Sequence, residues 1–133
     1  MAGISAFPDI PNTVEGAYGY DASYVASADI LAGQAVQIAT NGTIAPATAS
    51  TQKIIGVALY DIPSGTVGAV RVLGATTCAN GDGATAIAAG AAVTAGTLGG
   101  VVAASTGAVL GIALEPIAGG ATGKVLVCPS SKS

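Results

Sequence analysis

Seven acidic side chains, four basic ones, two cysteines and no histidine make up the reactive repertoire of this chain. Without histidine the commonest general acid or base is missing. The phosphate-loop pattern GxxxxGK[ST] is approached at 119–124, GGATGK, but it needs a glycine where Ala118 stands and a hydroxyl where Val125 stands. AsnGlyAspGly at 80–83 has the look of a calcium loop, yet lacks the alternating acidic ligands and the terminal glutamate. It reads as a surface turn. Tyr60-Asp61 and Glu115 fall at equivalent turns, where a paired-carboxylate site is conceivable and solvated loop acids are the simpler reading. Asn41-Gly42-Thr43 matches a glycosylation acceptor, which carries little weight without a secretory signal. Cys78 and Cys128 are too few and too far apart for a zinc framework. Repeat register puts them at neighbouring strand ends, so a disulfide is one reading and two small buried thiols the other. No catalytic residue, metal site or cofactor is expected.

The elements that would carry such residues are set by an internal repeat. IIGVALYDIPSGTVGAVRVLG, from residue 54, returns 55 positions later as VLGIALEPIAGGATGKVLVCP. The two share Gly56 with Gly111, Ala58 with Ala113, Leu59 with Leu114, Ile62 with Ile117, Gly65 with Gly120, Gly68 with Gly123, Val70 with Val125 and Val72 with Val127. Upstream, ILAGQAVQIAT is answered by IAAGAAVTAGT at an offset of 57. A fixed period implies a domain built from similar halves. The halves are read as 28–74 and 85–129, sharing one core, because 133 residues suit a single domain.

The pattern within each copy is β. Residues 35–39 alternate, Asn41-Gly42 is a strong hairpin signal, and 43–47 return, with Pro46 placing that strand at an edge or ending it. Strands follow at 53–60 and 69–73. In the second copy, residues 84–95 are alanine-rich enough for a helix on propensity, but register argues for turn and strand. Gly65, Gly68, Gly120 and Gly123 flank turns that need backbone freedom. Gly56 and Gly111 lie mid-strand and mark a bulge or a close approach of another backbone. The fold class expected is all-β: a small sandwich or barrel of about eight strands.

Residues 1–27 are read as an extended N-terminal arm outside the repeat. They hold Phe7, Tyr18, Tyr20 and Tyr24 together with Pro8 and Pro11, leaving the body only Tyr60 among aromatics. Aromatic anchors on an arm suit an interface; the other reading is that the arm folds back and plugs its own body.

Only 8% of residues are charged, against roughly a quarter in ordinary domains, and half are apolar. Such a surface is expected to be covered in use. The four cations are scattered, which argues against nucleic acid. The charge-free run 84–114 is cut by Gly, Thr and Ser and reads as sheet, not as a membrane span. No secretory signal is visible at the N-terminus, so synthesis in a cytoplasm is expected.

The stretch from residue 26 to 74 resembles the capsid decoration, or cement, proteins of tailed bacteriophages. Three pieces carry the resemblance: the turn and strand at Ile30 to Val36, the IGVA strand at Ile55 to Ala58, and the IxxGxxGxV hairpin at Ile62 to Val70. It implies a non-enzymatic β protein on the exterior of an icosahedral head. There it would bridge major capsid subunits, stabilise the shell, and contact neighbouring copies of itself as a homotrimer. Alternatives are a phage fibre, tail or surface-layer component, and a small-ligand or carbohydrate-binding β domain.

Overall fold

The structure, a computed structural model, describes residues 19–81, 85–96 and 99–132. They form nine strands: β1 Gly19–Val25, β2 Ala35–Ile38, β3 Ile44–Pro46, β4 Ile54–Ala58, β5 Val67–Ala79, β6 Ala92–Ala95, β7 Val101–Ala103, β8 Gly107–Ala113 and β9 Thr122–Lys132. All strand pairs are antiparallel, in the order β3-β2-β4-β5-β9-β8-β6-β7, with β1 adding to β5 outside that path. The class is all-β, as the periodicity predicts, and the sheet curls into a half-barrel. No helix among the described residues is long and apolar enough to cross a membrane.

Local sequence accounts for several elements. Asn41 and Gly42 take the left-handed conformation (φ 60° and 76°) that a tight β2–β3 connection demands. β3 ends at Pro46 and lies at one end of the strand order, where a missing ladder donor does least harm. The alanine-rich 84–95 segment contributes β6, because pairing with both β7 and β8 outweighs alanine's helix preference.

β5 is the organising element. Val57 and Ala58 of β4 pair with Arg71 and Val70 in its first half, which also pairs with β1, while its second half pairs with β9. Each half belongs to a different unit. Val25 lies opposite Val67 as Ala79 lies opposite Thr122, and Tyr24 opposite Gly68 as Cys78 lies opposite Gly123. The correspondence continues in the backbone. Ala26 N–H donates to Thr66 O (2.9 Å) as Asn80 N–H does to Ala121 O (2.8 Å), and Ser27 N–H to Ile44 O as Gly81 N–H to Val101 O (both 2.8 Å).

Residues 19–27, which the sequence assigned to the arm, thus occupy in the first unit the place that 73–81 occupy in the second. In this register the two nine-residue stretches share no identical residue, so their equivalence is carried by backbone pairing alone.

The buried side chains form two clusters instead of the single expected core. Ala26, Ile30, Val36, Ile44, Ala58, Ile62 and Val70 make one. Ile87, Val93, Val101, Ala113, Ile117 and Val125 repeat it in the other, where Cys78 is also buried. Ala35, Ala47, Ile54 and Val57 of the first unit extend that second cluster and join the units. The separation has a structural cause. The curl of each unit is fastened by a parallel bridge, Ala26 to Ile44 and Asn80 to Val101, and by an antiparallel one, Ile30 to Ile62 and Ile87 to Ile117. Each unit therefore wraps its own isoleucine pair, and burial of each such side chain contributes about 1.5–3 kcal/mol.

Candidate docking surface

The residues considered for chemistry are occupied with holding loops. Glu115 Oε2 accepts from Lys124 N–H (2.8 Å), Asp61 Oδ1 from Ala32 N–H (2.9 Å) and Asp29 Oδ1 from Ser64 N–H (2.8 Å). These acids satisfy backbone donors across loops and do not converge on one site. The 119–124 loop is a hairpin turn closed by Ala121 N–H to Ala118 O (3.0 Å). Asn80 of the former turn motif is buried, and its Nδ2 donates to Thr85 O (2.9 Å) and Ile117 O (3.1 Å). Among the described residues no three His, Cys, Asp or Glu side chains gather as a metal site would.

Both cysteines are free, Cys78 buried and Cys128 exposed. Cys78 sits opposite Gly123, so five residues of β9, about 17 Å, separate the two positions, far beyond disulfide reach. Burial pushes the Cys78 thiol up to about 12. A groove of about 400 Å³ beside it is lined by residues including Gly33, Ala58, Leu59 and Thr76, with no charged side chain among its walls.

The six glycines singled out in sequence fall into three pairs. Gly65 and Gly120 adopt φ of 84° and 75° in the hairpin turns. Gly68 and Gly123 do not: they lie in strands, and a Cβ there would run into Ile62 and Ile117, with Ile62 Cδ1 and Ile117 Cγ1 each at 2.5 Å. Their reason is core packing, not turn flexibility. Gly56 and Gly111 lie against the carbonyls of Arg71 and Leu126 in the neighbouring strand of the same unit, the residues paired with Val57 and Ile112. The close approach is therefore repeated within each unit and is not a meeting of the two copies.

Of the aromatic candidates, Phe7, Pro8, Pro11 and Tyr18 lie outside the described residues. The structure sets Tyr20 and Tyr24 apart. Tyr24 is half-buried against the first cluster. Tyr20 is 64% exposed and sits opposite Leu73 in β5, itself 52% exposed.

Those two open onto a broad outer face. Val70, Gly74 and Cys78 of β5 turn inward, leaving Val67, Ala69, Arg71, Leu73, Ala75 and Thr77 on the other side. Directly paired residues of antiparallel strands share a face, so Val25 joins Val67, Leu126 joins Ala75, and Ile112 joins Leu126. A bulge between Tyr20 and Asp21 keeps both on this side, where Asp21 meets Arg71. Arg71 Nε and Nη2 donate to the two carboxylate oxygens of Asp21 (2.7 and 3.2 Å), and Nη1 to Ala75 O (2.8 Å). The bond to Asp21 raises the Arg71 pKa, so the guanidinium stays charged and is neutralised in place. Leu73, Ile112 and Leu126 were not singled out in sequence, because alternating Val and Leu in a strand do not announce which face is covered.

The phage cement protein family matches residues 21–129. The chain belongs to that family. The match opens inside β1 and closes inside β9, so the cement-protein signature spans both units and leaves out the segment ahead of β1. A comparison with curated protein sequences found no match. Among solved structures, a similar chain is the head fibre gp8.5 N base of bacteriophage phi29. Its TM-score is 0.64 at 21% identity, over 86% of this chain and 97% of that one. At that identity the likeness concerns the fold, and it includes nearly the whole of the fibre base.

Proposed function

We propose that the protein is a non-enzymatic capsid cement that binds the outer surface of an icosahedral phage head, bridges major capsid subunits and stabilises the shell. The observation that carries this reading is the cement-family match across both units of the body. The low-charge surface supports it, since a protein with few charges and exposed apolar side chains is suited to being covered. Individually weak contacts on a lattice combine when one molecule engages two subunits. The aromatic and proline residues of the N-terminal segment, Phe7, Pro8, Pro11 and Tyr18, supply further anchors in grooves between capsid subunits, and copies associate with one another as a homotrimer. Made in the host cytoplasm, the protein ends on the virion exterior.

The test is to add purified protein to expanded, undecorated shells of the phage that encodes it and image them by electron microscopy. Ordered extra density outside the shell, contacting at least two capsid subunits, is the expected result. Bare shells with folded protein in solution would refute it. Removal of residues 1–18 should weaken binding, and sedimentation velocity should show three copies.

A further inference from the structure

We propose that the outer face of the sheet, centred on Leu73 and Leu126, is the surface that seats on the shell, against an apolar, weakly charged strip of the major capsid protein. This rests on the cement reading above and names the contact through which it works. Among the described residues, six of the nine exposed large apolar side chains, Tyr20, Val25, Val67, Leu73, Ile112 and Leu126, lie on this one face. Pairing makes the middle of it continuous from Tyr20 and Leu73, past Ala75, to Leu126 and Ile112 across β1, β5, β9 and β8.

Size and charge both bear on the occupant. Thirteen residues of β5 at about 3.3 Å each, and neighbouring strands about 4.8 Å apart, give a face on the order of 40 Å by 15 Å, or about 600 Å². That approaches the ~800 Å² per partner of a standard interface, and lies at the upper end of the largest patch on an ordinary monomer, about 300–600 Å². The Asp21–Arg71 pair cancels its own charge. The loop acids Asp29, Asp61 and Glu115 are bonded to backbone donors in the turns. Lys124, exposed and paired with Thr77, adds one positive charge to this face beside Leu126. A partner recognised here must contribute mainly apolar area with at most one charge to meet Lys124, so binding should depend only modestly on salt.

The experiment measures co-sedimentation with undecorated shells for the wild type, Leu73→Asp, Leu126→Asp, and Leu31→Asp as a control on an exposed loop position. Thermal melts check that all fold, and sedimentation velocity records self-association. The two face variants should bind shells at least about ten-fold more weakly, the size of a central interface residue. Leu31→Asp should stay within about three-fold, and raising salt from about 0.1 to 0.5 M should change wild-type binding by less than about three-fold. Wild-type affinity in both folded face variants would overturn the inference while leaving the cement reading intact. Loss of self-association alone, with shell binding kept, would assign the face to a second copy and overturn it likewise. A wild type that does not bind shells would instead remove the cement reading on which the inference stands.

Discussion

Gly111→Ala tests the most demanding contact in the fold. A Cβ at this position would overlap the Leu126 carbonyl oxygen and come within 2.8 Å of its carbon. The obstacle is backbone, so no rotamer change relieves it: β8 must move from β9, which breaks pairing at Gly111–Val127 and Ile112–Leu126. Forcing one methyl into a packed interior costs about 1–3 kcal/mol. The displaced ladder adds about 1 kcal/mol per lost hydrogen bond, for a total of about 3 kcal/mol. The internal reference is Gly120→Ala, where nothing lies within 4 Å and only the positive φ opposes a side chain, at about 1–2 kcal/mol. For a chain of this length each kcal/mol lowers Tm by about 3–5 °C, so Gly111→Ala should melt about 10 °C or more below wild type and Gly120→Ala about 5 °C below. Gly56 meets Arg71 in the same way, with the Arg71 carbonyl carbon at 2.9 Å, and Gly56→Ala should match Gly111→Ala. Melting of either within about 2 °C of wild type, followed by circular dichroism, would refute the close approach.

Three further outcomes follow from single contacts. With Cys78 buried and its thiol pushed up to about 12, a thiol reagent at neutral pH should label one cysteine, Cys128, in the native protein and two after denaturation; two fast labels would contradict the burial. Because that folded value lies above a thiol's ordinary value of 9.0, the neutral thiol stabilises the fold fully below about pH 9. The contribution should fall as pH rises toward 12, a slope that Cys78→Ala should reduce in denaturant melts. Asn80→Ala removes two donors to Thr85 and Ile117 carbonyls and should cost about 1–3 kcal/mol, read from urea midpoints, even though Ala26 fills the equivalent place in the first unit. Asp21→Asn, by contrast, disturbs an ion pair whose carboxylate is 37% exposed, and should lower stability by less than about 1 kcal/mol.

The parts of the fold legible in sequence are those where both units use the same residue for the same local reason. Gly65 and Gly120 mark turns because only their φ values permit a tight reversal, and Asn41-Gly42 announces its hairpin in the same way. Pro46 marks a strand end through its missing donor. β1 was hidden because its place in the sheet depends on what β5 offers it, not on a motif of its own: Tyr24 and Cys78 fill equivalent positions with unrelated side chains. Gly68 and Gly123 were visible as a repeat, but their reason was not, since Ile62 and Ile117 reach them only across the folded hairpin. The outer face was invisible for a related reason: Leu73 and Val72 look alike in sequence, and only the curl of the sheet leaves one out and packs the other against the core.

The two units differ most where they face outward, and that bears on the proposed bridging of a lattice. Inward positions are held: Ile30 and Ile87, Val36 and Val93, Ala58 and Ala113, Ile62 and Ile117, Val70 and Val125 are identical pairs in the two clusters. Most outward positions are not. Arg71 corresponds to Leu126, Leu73 to Cys128, Val67 to Thr122, and Leu31 to Ala88. Packing sets the inward residues, because a changed volume in either cluster would be felt at once. No such constraint reaches the outward ones, so each unit's outer surface can answer to whatever touches it. The first unit carries a neutralised ion pair beside Tyr20 and Leu73; the second carries Leu126 and Ile112 without one. A partner meeting β5 along its length therefore sees two different chemistries on one rigid strand. On the proposed cement reading, such a chain would present each of two neighbouring capsid subunits with a different surface.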